Sequence, residues 1–140
     1  MELQNNFIDT NVILDVLLKR EKLFQSSAEI LGLAERKKIQ LGTSIISYAT
    51  IFYFVKKELS KEEFIIKMRQ LKSYVFVFPS DQLSVDFALN SNFPDLEDAM
   101  QNHIAESNKC STIITRNTKH FKKSNLAVLT PEEFLATQDL

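Results

Sequence analysis

Apolar and polar residues follow two different spacings along the chain, and together they predict strands separated by helices. Short apolar runs predict strands at residues 7–8, 39–43, 74–78, 111–115 and 127–129. The run YVFVF at 74–78 is the strongest of these, because all five residues favour strands and Pro79 ends it. Strands that alternate with one or two helices are typical of an α/β sandwich with a mostly parallel sheet.

Helices are predicted where apolar residues recur every three or four positions. These segments cover residues 12–20, 28–34, 44–58, 61–71, 81–89, 95–109 and the end of the chain after Pro131. Two helix starts show the pattern of a capping box, Ser60 with Glu63 and Thr130 with Glu133. With 2 glycines and 3 prolines the chain has little linker material, so we expect residues 1–140 to form one domain.

The amino-acid composition excludes several classes of protein and of metal site. The 17 basic and 18 acidic residues give a net charge of −1, which neither indicates nor excludes a nucleic-acid partner. Cys110 is the single cysteine, so an intramolecular disulfide is excluded and a buried thiol in a reducing compartment is expected. The two histidines, His103 and His120, are too few for a Cys/His zinc site. Because neither a secretory signal nor an apolar run of about 18 residues is found, we expect a soluble cytoplasmic protein without membrane contact.

Polar triplets follow two of the predicted strands. In parallel sheets ligands bind beyond the carboxyl ends of the strands. The triplet DTN at residues 9–11 follows the first strand, and TRN at 115–117 follows the fourth. In the simpler interpretation Asp9 or Asn11 caps the next helix, and Asn117 is an ordinary loop residue.

The stretch NFPDLEDAM at residues 92–100 places three acids behind a proline. Asp95 has the position of an N-cap, and Asp98 has the N3 position from which an acid bonds back to the cap. Capping accounts for two acids, yet Glu97 is a third. Asp95 and Asp98 share a helix face, and two such carboxylates repel each other unless a cation lies between them.

Neighbouring strands would bring Asp9, Asp98 and Asn117 to the same edge of the sheet. Their oxygen atoms suit Mg²⁺ or Mn²⁺, which prefer oxygen ligands and keep several waters. Such an ion activates water and stabilises charge on a phosphodiester. The pattern therefore predicts a metal-dependent site for phosphodiester hydrolysis at this edge.

Four segments in this order resemble the PIN-domain family, and the likeness runs over nearly the whole chain. The segments are FIDTNVILDVLLKRE from residue 7, DLEDA from 95, IITRNTKHF from 113 and LTPEEFL from 129. The resemblance implies a three-layer α/β/α fold and a metal-dependent ribonuclease. Many members of the VapC-like group are toxins of type II toxin–antitoxin pairs, which implies a small antitoxin protein as partner.

The resemblance also assigns roles to single residues. It implies Asp9 and Asp98 as metal ligands, with Asp95 and Asn117 as further catalytic residues. The residues that it places in supporting positions are Glu97, Asn11, Thr50 and His120.

Two positions depart from the family pattern. Thr50 stands where most members have a glutamate, and His120 replaces the late acid. Fewer negative ligands should hold Mg²⁺ more weakly, because affinity follows ligand charge. Glu58 and Asp15 are the acids considered as compensation, although no sequence feature links either of them to the site.

Basic and apolar residues predict two further interaction surfaces, one for RNA and one for a second copy of the chain. The basic residues expected to contact RNA are Arg116, Lys119, Lys122 and Lys123, unless they only form a solvated loop. The apolar run at 51–55 indicates either a homodimer face or core packing.

Two other functions stay open. A PIN domain that lacks two acids would bind RNA or a protein without cutting. A phosphotransferase would use Asp9 as nucleophile, but the haloacid-dehalogenase pattern requires an acid where Asn11 stands.

Overall fold

A computed structural model describes residues 3–138 and shows a central sheet in which all strand pairs are parallel. The strands are β1 (Asn5–Ile8), β2 (Gln40–Thr43), β3 (Val75–Val77), β4 (Cys110–Ile114) and β5 (Ala127–Leu129). Their order across the sheet is β3-β2-β1-β4-β5, with β1 in the centre. The predicted parallel α/β sheet is confirmed.

Helices connect the strands and cover the sheet. They are α1 (Thr10–Leu17), α2 (Phe24–Glu35), α3 (Ile45–Val55), α4 (Lys61–Lys72), α5 (Gln82–Leu89), α6 (Leu96–Ser107) and α7 (Pro131–Ala136). A short 3-10 helix, Thr118–Phe121, follows β4. None of the described helices is long and apolar enough to span a membrane.

Two hydrophobic cores lie on opposite faces of the sheet. Successive strand residues point to opposite faces, so Phe7 and Ile113 enter one core and Ile8 and Ile114 enter the other. The larger core packs against helices α1 to α4 and α7, and the smaller one against α6 and the 3-10 helix. These cores establish the three-layer α/β/α arrangement.

The pairing of β1 with β4 positions the polar triplets. Ile8 lies opposite Ile114, and the Asp9 N–H donates to the Ile114 carbonyl at 2.9 Å. The residues after both strands therefore emerge side by side at the carboxyl edge of the sheet.

Helix boundaries differ from the prediction where polar residues are buried. The sequence predicts a start of α2 after Ser26 and Ser27, but the helix begins at Phe24, so both serines lie inside it. Ser27 is buried, and its hydroxyl donates to Asp15 Oδ2 at 2.9 Å. Serine commonly marks a helix start, because its side chain can bond to nearby backbone groups. Here the Ser27 side chain bonds to a buried acid instead, so the helix begins before it. The predicted capping boxes at Ser60 and Thr130 are confirmed.

Gly42 in β2 allows the close approach of Phe78 to the sheet. A Cβ atom at Gly42 would lie 2.3 Å from atoms of the Phe78 ring. That ring is buried and stacks on Phe7 with centroids 6.3 Å apart. The Phe78 ring would have to shift to admit a Cβ atom, so this position favours glycine.

We predict that Gly42→Ala lowers the free energy of unfolding by about 1–3 kcal/mol, because the added methyl overpacks the smaller core. Gly32→Ala is the matched control. Its Cβ would meet only the flexible Arg36 side chain at 3.1 Å, inside α2. We expect Gly32→Ala to stabilise the protein by about 0.5–1 kcal/mol through helix propensity. Urea denaturation measures both, and equal effects of the two substitutions would contradict the prediction.

Candidate active site

A cleft of about 340 Å³ opens at the carboxyl edge of the sheet. Its walls come from the end of β1, from α1, α3 and the start of α6, and from the loop after β4. The residues that line it are Asp9, Thr10, Asn11, Leu14, Arg20, Thr50, Phe54, Asp95, Glu97, Asp98, Asn117 and His120. The structure thus brings together all the acids that the motifs indicated.

Asp9 is the buried centre of this cleft. It caps α1, and its Oδ1 accepts the Thr10 N–H at 2.8 Å. Its Oδ2 accepts the hydroxyl of Thr115 at 2.8 Å. Burial raises the pKa of Asp9, while the bonds from Thr115 and Thr10 oppose that rise. Asp9 is therefore the N-cap of α1, and it also lines the cleft.

Asn11 lies inside α1 and is not the cap. Its Oδ1 accepts the backbone N–H of Arg116 at 3.1 Å, and its Nδ2 donates to Thr115 Oγ1 at 3.4 Å. The side chain therefore ties α1 to the loop after β4.

A buried network of neutral polar side chains lies beside Asp9. The hydroxyl oxygen of Ser47 is 2.8 Å from Thr10 Oγ1 and 2.9 Å from Thr43 Oγ1, and it accepts a bond from Gln101 Nε2 at 2.8 Å. The Ser44 hydroxyl bonds to the Gln101 carbonyl oxygen. The Gln101 amide also opposes the rise in the pKa of Asp9.

Sequence reasoning missed this network. The available signal was Gln101, three residues after Asp98 and therefore on the same face of α6.

The N-cap and first turn of α6 contribute the other three carboxylates, Asp95, Glu97 and Asp98. Asp95 is the N-cap, and its Oδ1 accepts the Asp98 N–H at 2.9 Å, as predicted. The expected return bond from Asp98 to the cap is not formed. Asp98 Oδ2 instead lies 2.8 Å from His120 Nδ1. The capping box is therefore incomplete, because the Asp98 side chain turns towards the loop after β4.

Electrostatic repulsion links the carboxylates. Asp98 is 9% exposed, and burial raises its pKa to about 6, with the charge of Asp9 adding to the rise and His120 opposing it. Burial also raises the pKa of Glu97, with contributions from Asp9 and Asp95, while the Thr50 hydroxyl opposes it. The acids destabilise one another's charged forms, and a cation bound between them would relieve that repulsion.

Arg116 lies outside the lining of the cleft, and its contact with RNA stays a prediction. Its guanidinium donates to Asp15 Oδ2 at 2.9 Å, to Glu132 Oε1 at 2.6 Å and to the Leu23 carbonyl at 3.1 Å. Further bonds reach Ser26 and Ser27. These contacts engage the guanidinium within the protein, so Arg116 also holds the loop after β4 in place.

Neither proposed compensating acid lies in the cleft. Asp15 is fully buried between Arg116 and Arg20, and Glu58 is exposed beyond the end of α3. Both fall outside the lining of the cleft. The lost acids at Thr50 and His120 are therefore not replaced from these positions.

The lysines of the last loop remain predicted RNA contacts. Lys119 and Lys122 line a separate hollow beside the 3-10 helix, and Lys123 is exposed outside the cleft. Asn117 does line the cleft, and its N–H donates to Thr115 Oγ1 at 3.0 Å.

The aromatic run in α3 divides between two sides of the helix. Ile51 and Val55 are buried in the larger core. Phe52, Tyr53 and Phe54 are exposed. Core packing therefore accounts for part of the run, and the homodimer face stays a prediction for the exposed part.

Arg20 and Phe54 line the cleft, and sequence reasoning missed both. Arg20 follows the end of α1, where no motif marks it, and Phe54 belongs to an apolar run that suits a core or a dimer face equally well. Only the packing of α1 against α3 places the two in one cleft.

The donor set fits a hydrated divalent cation. Among residues 3–138, no three acid, histidine or cysteine side chains are arranged to hold one ion together. Asp9 and Asp98 nevertheless supply two buried carboxylates that repel each other. Mg²⁺ binds through one or two carboxylates and keeps several waters, so two ligands are sufficient.

Solved structures with the same fold include a toxin–antitoxin complex and VapBC-1. One, from Klebsiella pneumoniae, matches with a TM-score of 0.65 and 23% identity over 90% of this chain and 97% of that chain. VapBC-1 from nontypeable Haemophilus influenzae matches with a TM-score of 0.65 and 20% identity over 91% and 98%. At these identities the two structures show a shared fold.

Sequence comparison reaches further. The chain is 28% identical over 139 residues to Ribonuclease VapC1 of Aquifex aeolicus (strain VF5). The aligned region covers 96% of this chain and 95% of the relative. A family profile described as PIN domain matches residues 6–119, most of the chain. The resemblance noted in the motifs is confirmed, and the chain belongs to the PIN domain family.

Proposed function

We propose that this protein is a metal-dependent endoribonuclease that hydrolyses RNA phosphodiester bonds. The observation that carries the proposal is the buried, mutually repelling pair Asp9 and Asp98 at the carboxyl edge of the sheet. Repulsion of this kind is relieved by a bound cation. The similarity to Ribonuclease VapC1 supports RNA as the substrate.

Asp9 and Asp98 would hold Mg²⁺ or Mn²⁺. When bound, such an ion activates a water and stabilises charge on the phosphodiester. Thr10 and Thr115 hold the Asp9 carboxylate in one orientation. Asp95 fixes the start of α6 and thereby the position of Asp98.

Asn117 and Glu97 line the same cleft and face the substrate side in this proposal. Asn117 offers an amide to the phosphate or to water. Glu97 adds negative charge near the ion. His120 positions Asp98 through its Nδ1.

We further propose that the protein is the cytoplasmic toxin of a type II toxin–antitoxin pair, and that a small antitoxin protein inhibits it. The fold shared with the toxin–antitoxin complex from Klebsiella pneumoniae supports this. A homodimer through Phe52 and Tyr53, the exposed aromatic residues of α3 outside the cleft, is part of the proposal, since apolar patches mark interaction sites.

Metal binding and stability are coupled at Asp98. The folded-state pKa of about 6 lies above the usual aspartate value of 3.8, so the folded protein binds a proton that the unfolded chain has already released. Stability of the metal-free protein should therefore fall as pH rises through this window.

We predict that Asp98→Asn raises the stability of the metal-free protein at neutral pH by about 1–3 kcal/mol, and that this gain disappears near about pH 4. Mn²⁺ should raise the Tm of the wild type and leave that of Asp98→Asn nearly unchanged. Thermal denaturation with and without Mn²⁺ at both pH values measures this. An Asp98→Asn variant that is less stable at neutral pH, or that Mn²⁺ still stabilises, would contradict the prediction.

We also predict Mn²⁺-dependent RNA cleavage that Asp98→Asn lowers by at least about 100-fold while the fold is retained, because one ligand is lost. Asp86→Asn is the matched control, since Asp86 is exposed on α5 outside the cleft. Cleavage that continues in EDTA or in Asp9→Asn/Asp98→Asn would refute the nuclease assignment to this site. RNA binding without cleavage under any divalent metal would favour a binding module instead.

A further inference from the structure

We propose that Arg20 and Phe54 form a nucleotide subsite of the cleft, in which Arg20 contacts a phosphate and Phe54 stacks on an unpaired base. The inference rests on the proposed function, because the nucleotide belongs to the RNA that the acids would cleave. Both residues line the cleft together with Asp9 and Asp98.

Arg20 has donors available for a phosphate. Its Nη1 donates to Asp15 Oδ1 at 3.3 Å, the one side-chain hydrogen bond it makes within residues 3–138. The side chain is 36% exposed. A guanidinium has five N–H donors in a planar fork that suits phosphate. Arg116, whose fork is engaged by several protein acceptors, shows the contrasting arrangement.

The charge of the cleft gives Arg20 a role in placing a phosphate. Four acids line it, and they repel an incoming phosphate. Arg20 is the one lysine or arginine that lines the cleft in the described part of the chain. A single cation beside the acids gives the phosphate a defined position.

Phe54 presents an aromatic ring that the core does not use. The side chain is 52% exposed. Tyr53 contacts the ring edge-to-face, with centroids 5.4 Å apart and planes at 87°. Lys56 Nζ in turn lies 4.9 Å from the centre of the Tyr53 ring. These contacts restrain a half-exposed ring at the wall of the cleft, which is the arrangement on which bases stack.

Arg20 and Phe54 together favour an unpaired nucleotide over a duplex or a cationic protein side chain. A base inside a duplex is already stacked on its neighbours, so its face is not available to Phe54. A cationic side chain of a protein would be attracted by the acids and by the ring, but Arg20 would repel it. An unpaired nucleotide satisfies both residues.

The test measures binding of a fluorescent oligouridylate of about ten nucleotides, a length within the span of single-strand sites. Asp98→Asn serves as the background, so that the probe is not cleaved, and fluorescence anisotropy at several salt concentrations is the readout. The same strand in a blunt duplex is the second probe. We expect the single strand to bind at least about tenfold more tightly than the duplex.

Phe54→Leu should weaken single-strand binding by about 5- to 100-fold with an unchanged salt dependence, because stacking is lost and charge is not. Phe54→Trp should bind at least as tightly as the parent protein. The matched control is Phe76→Leu, because Phe76 is 55% exposed on β3 outside the cleft. We expect Phe76→Leu to bind like the parent.

Arg20→Gln should weaken single-strand binding. The slope of the logarithm of the association constant against the logarithm of salt concentration should become less negative by about 0.7, the value for one phosphate contact on a single strand. Arg20→Lys should keep the slope. Arg36→Gln, at the far end of α2, is the control and should change neither quantity.

Three results would overturn the subsite. They are unchanged binding in Phe54→Leu, an unchanged slope in Arg20→Gln, and tighter binding of an arginine-rich peptide in Arg20→Gln with no effect on RNA. If the wild type cleaves RNA while any of these is observed, the subsite fails and the nuclease proposal stands. If the variants weaken binding as expected and no metal supports cleavage, the subsite stands and the nuclease proposal fails.

Discussion

The buried carboxylate of Asp9 is the constraint on which the rest of the site depends. It ends the central strand, caps α1 and accepts the Thr115 hydroxyl from the neighbouring strand end. Two hydrogen bonds keep a charge in a place from which water is largely excluded. Burial raises the pKa of Asp98 and of Glu97, and the charge of Asp9 adds to both rises. The charged forms of Asp98 and Glu97 are therefore coupled to that of Asp9.

The three residues after β4 make different contacts around the site. Thr115 bonds to Asp9, Arg116 points away into the contact with Asp15 and Glu132, and Asn117 lines the cleft. Arg116 thereby connects the loop to α1 and α7. Buried ion pairs of this kind add little net stability, but breaking one leaves a buried charge without a partner. Their effect here is to give the loop one conformation.

Local signals account for what the sequence predicted correctly. The strand YVFVF, the cap at Asp95 and the capping boxes at Ser60 and Thr130 depend on neighbours within a few residues. The convergence of the acids followed from the general rule for strand ends in parallel sheets. Each of these features is independent of the details of packing.

Packing decided what the sequence did not predict. Arg116 is 101 residues from Asp15, and Gln101 is 54 residues from Ser47, so no spacing rule links them. A basic residue beside an acidic site resembles a phosphate contact until its partners are known. Arg20, which has no motif, occupies the cleft instead. The direction of a long side chain depends on which buried acid it meets, and that is a property of the assembled fold.

The two departures from the family pattern acquire a physical meaning in this arrangement. Thr50 opposes the rise in the pKa of Glu97, and His120 does the same for Asp98. Each therefore favours the charged form of the acid that it contacts, as Thr115 does for Asp9. An additional acid at either position would instead increase the repulsion among the carboxylates. Thr50 and His120 thus favour the charged acids without a metal. Because neither side chain adds a negative charge, we expect the affinity of the site for a cation to be lower than with an acid at either position.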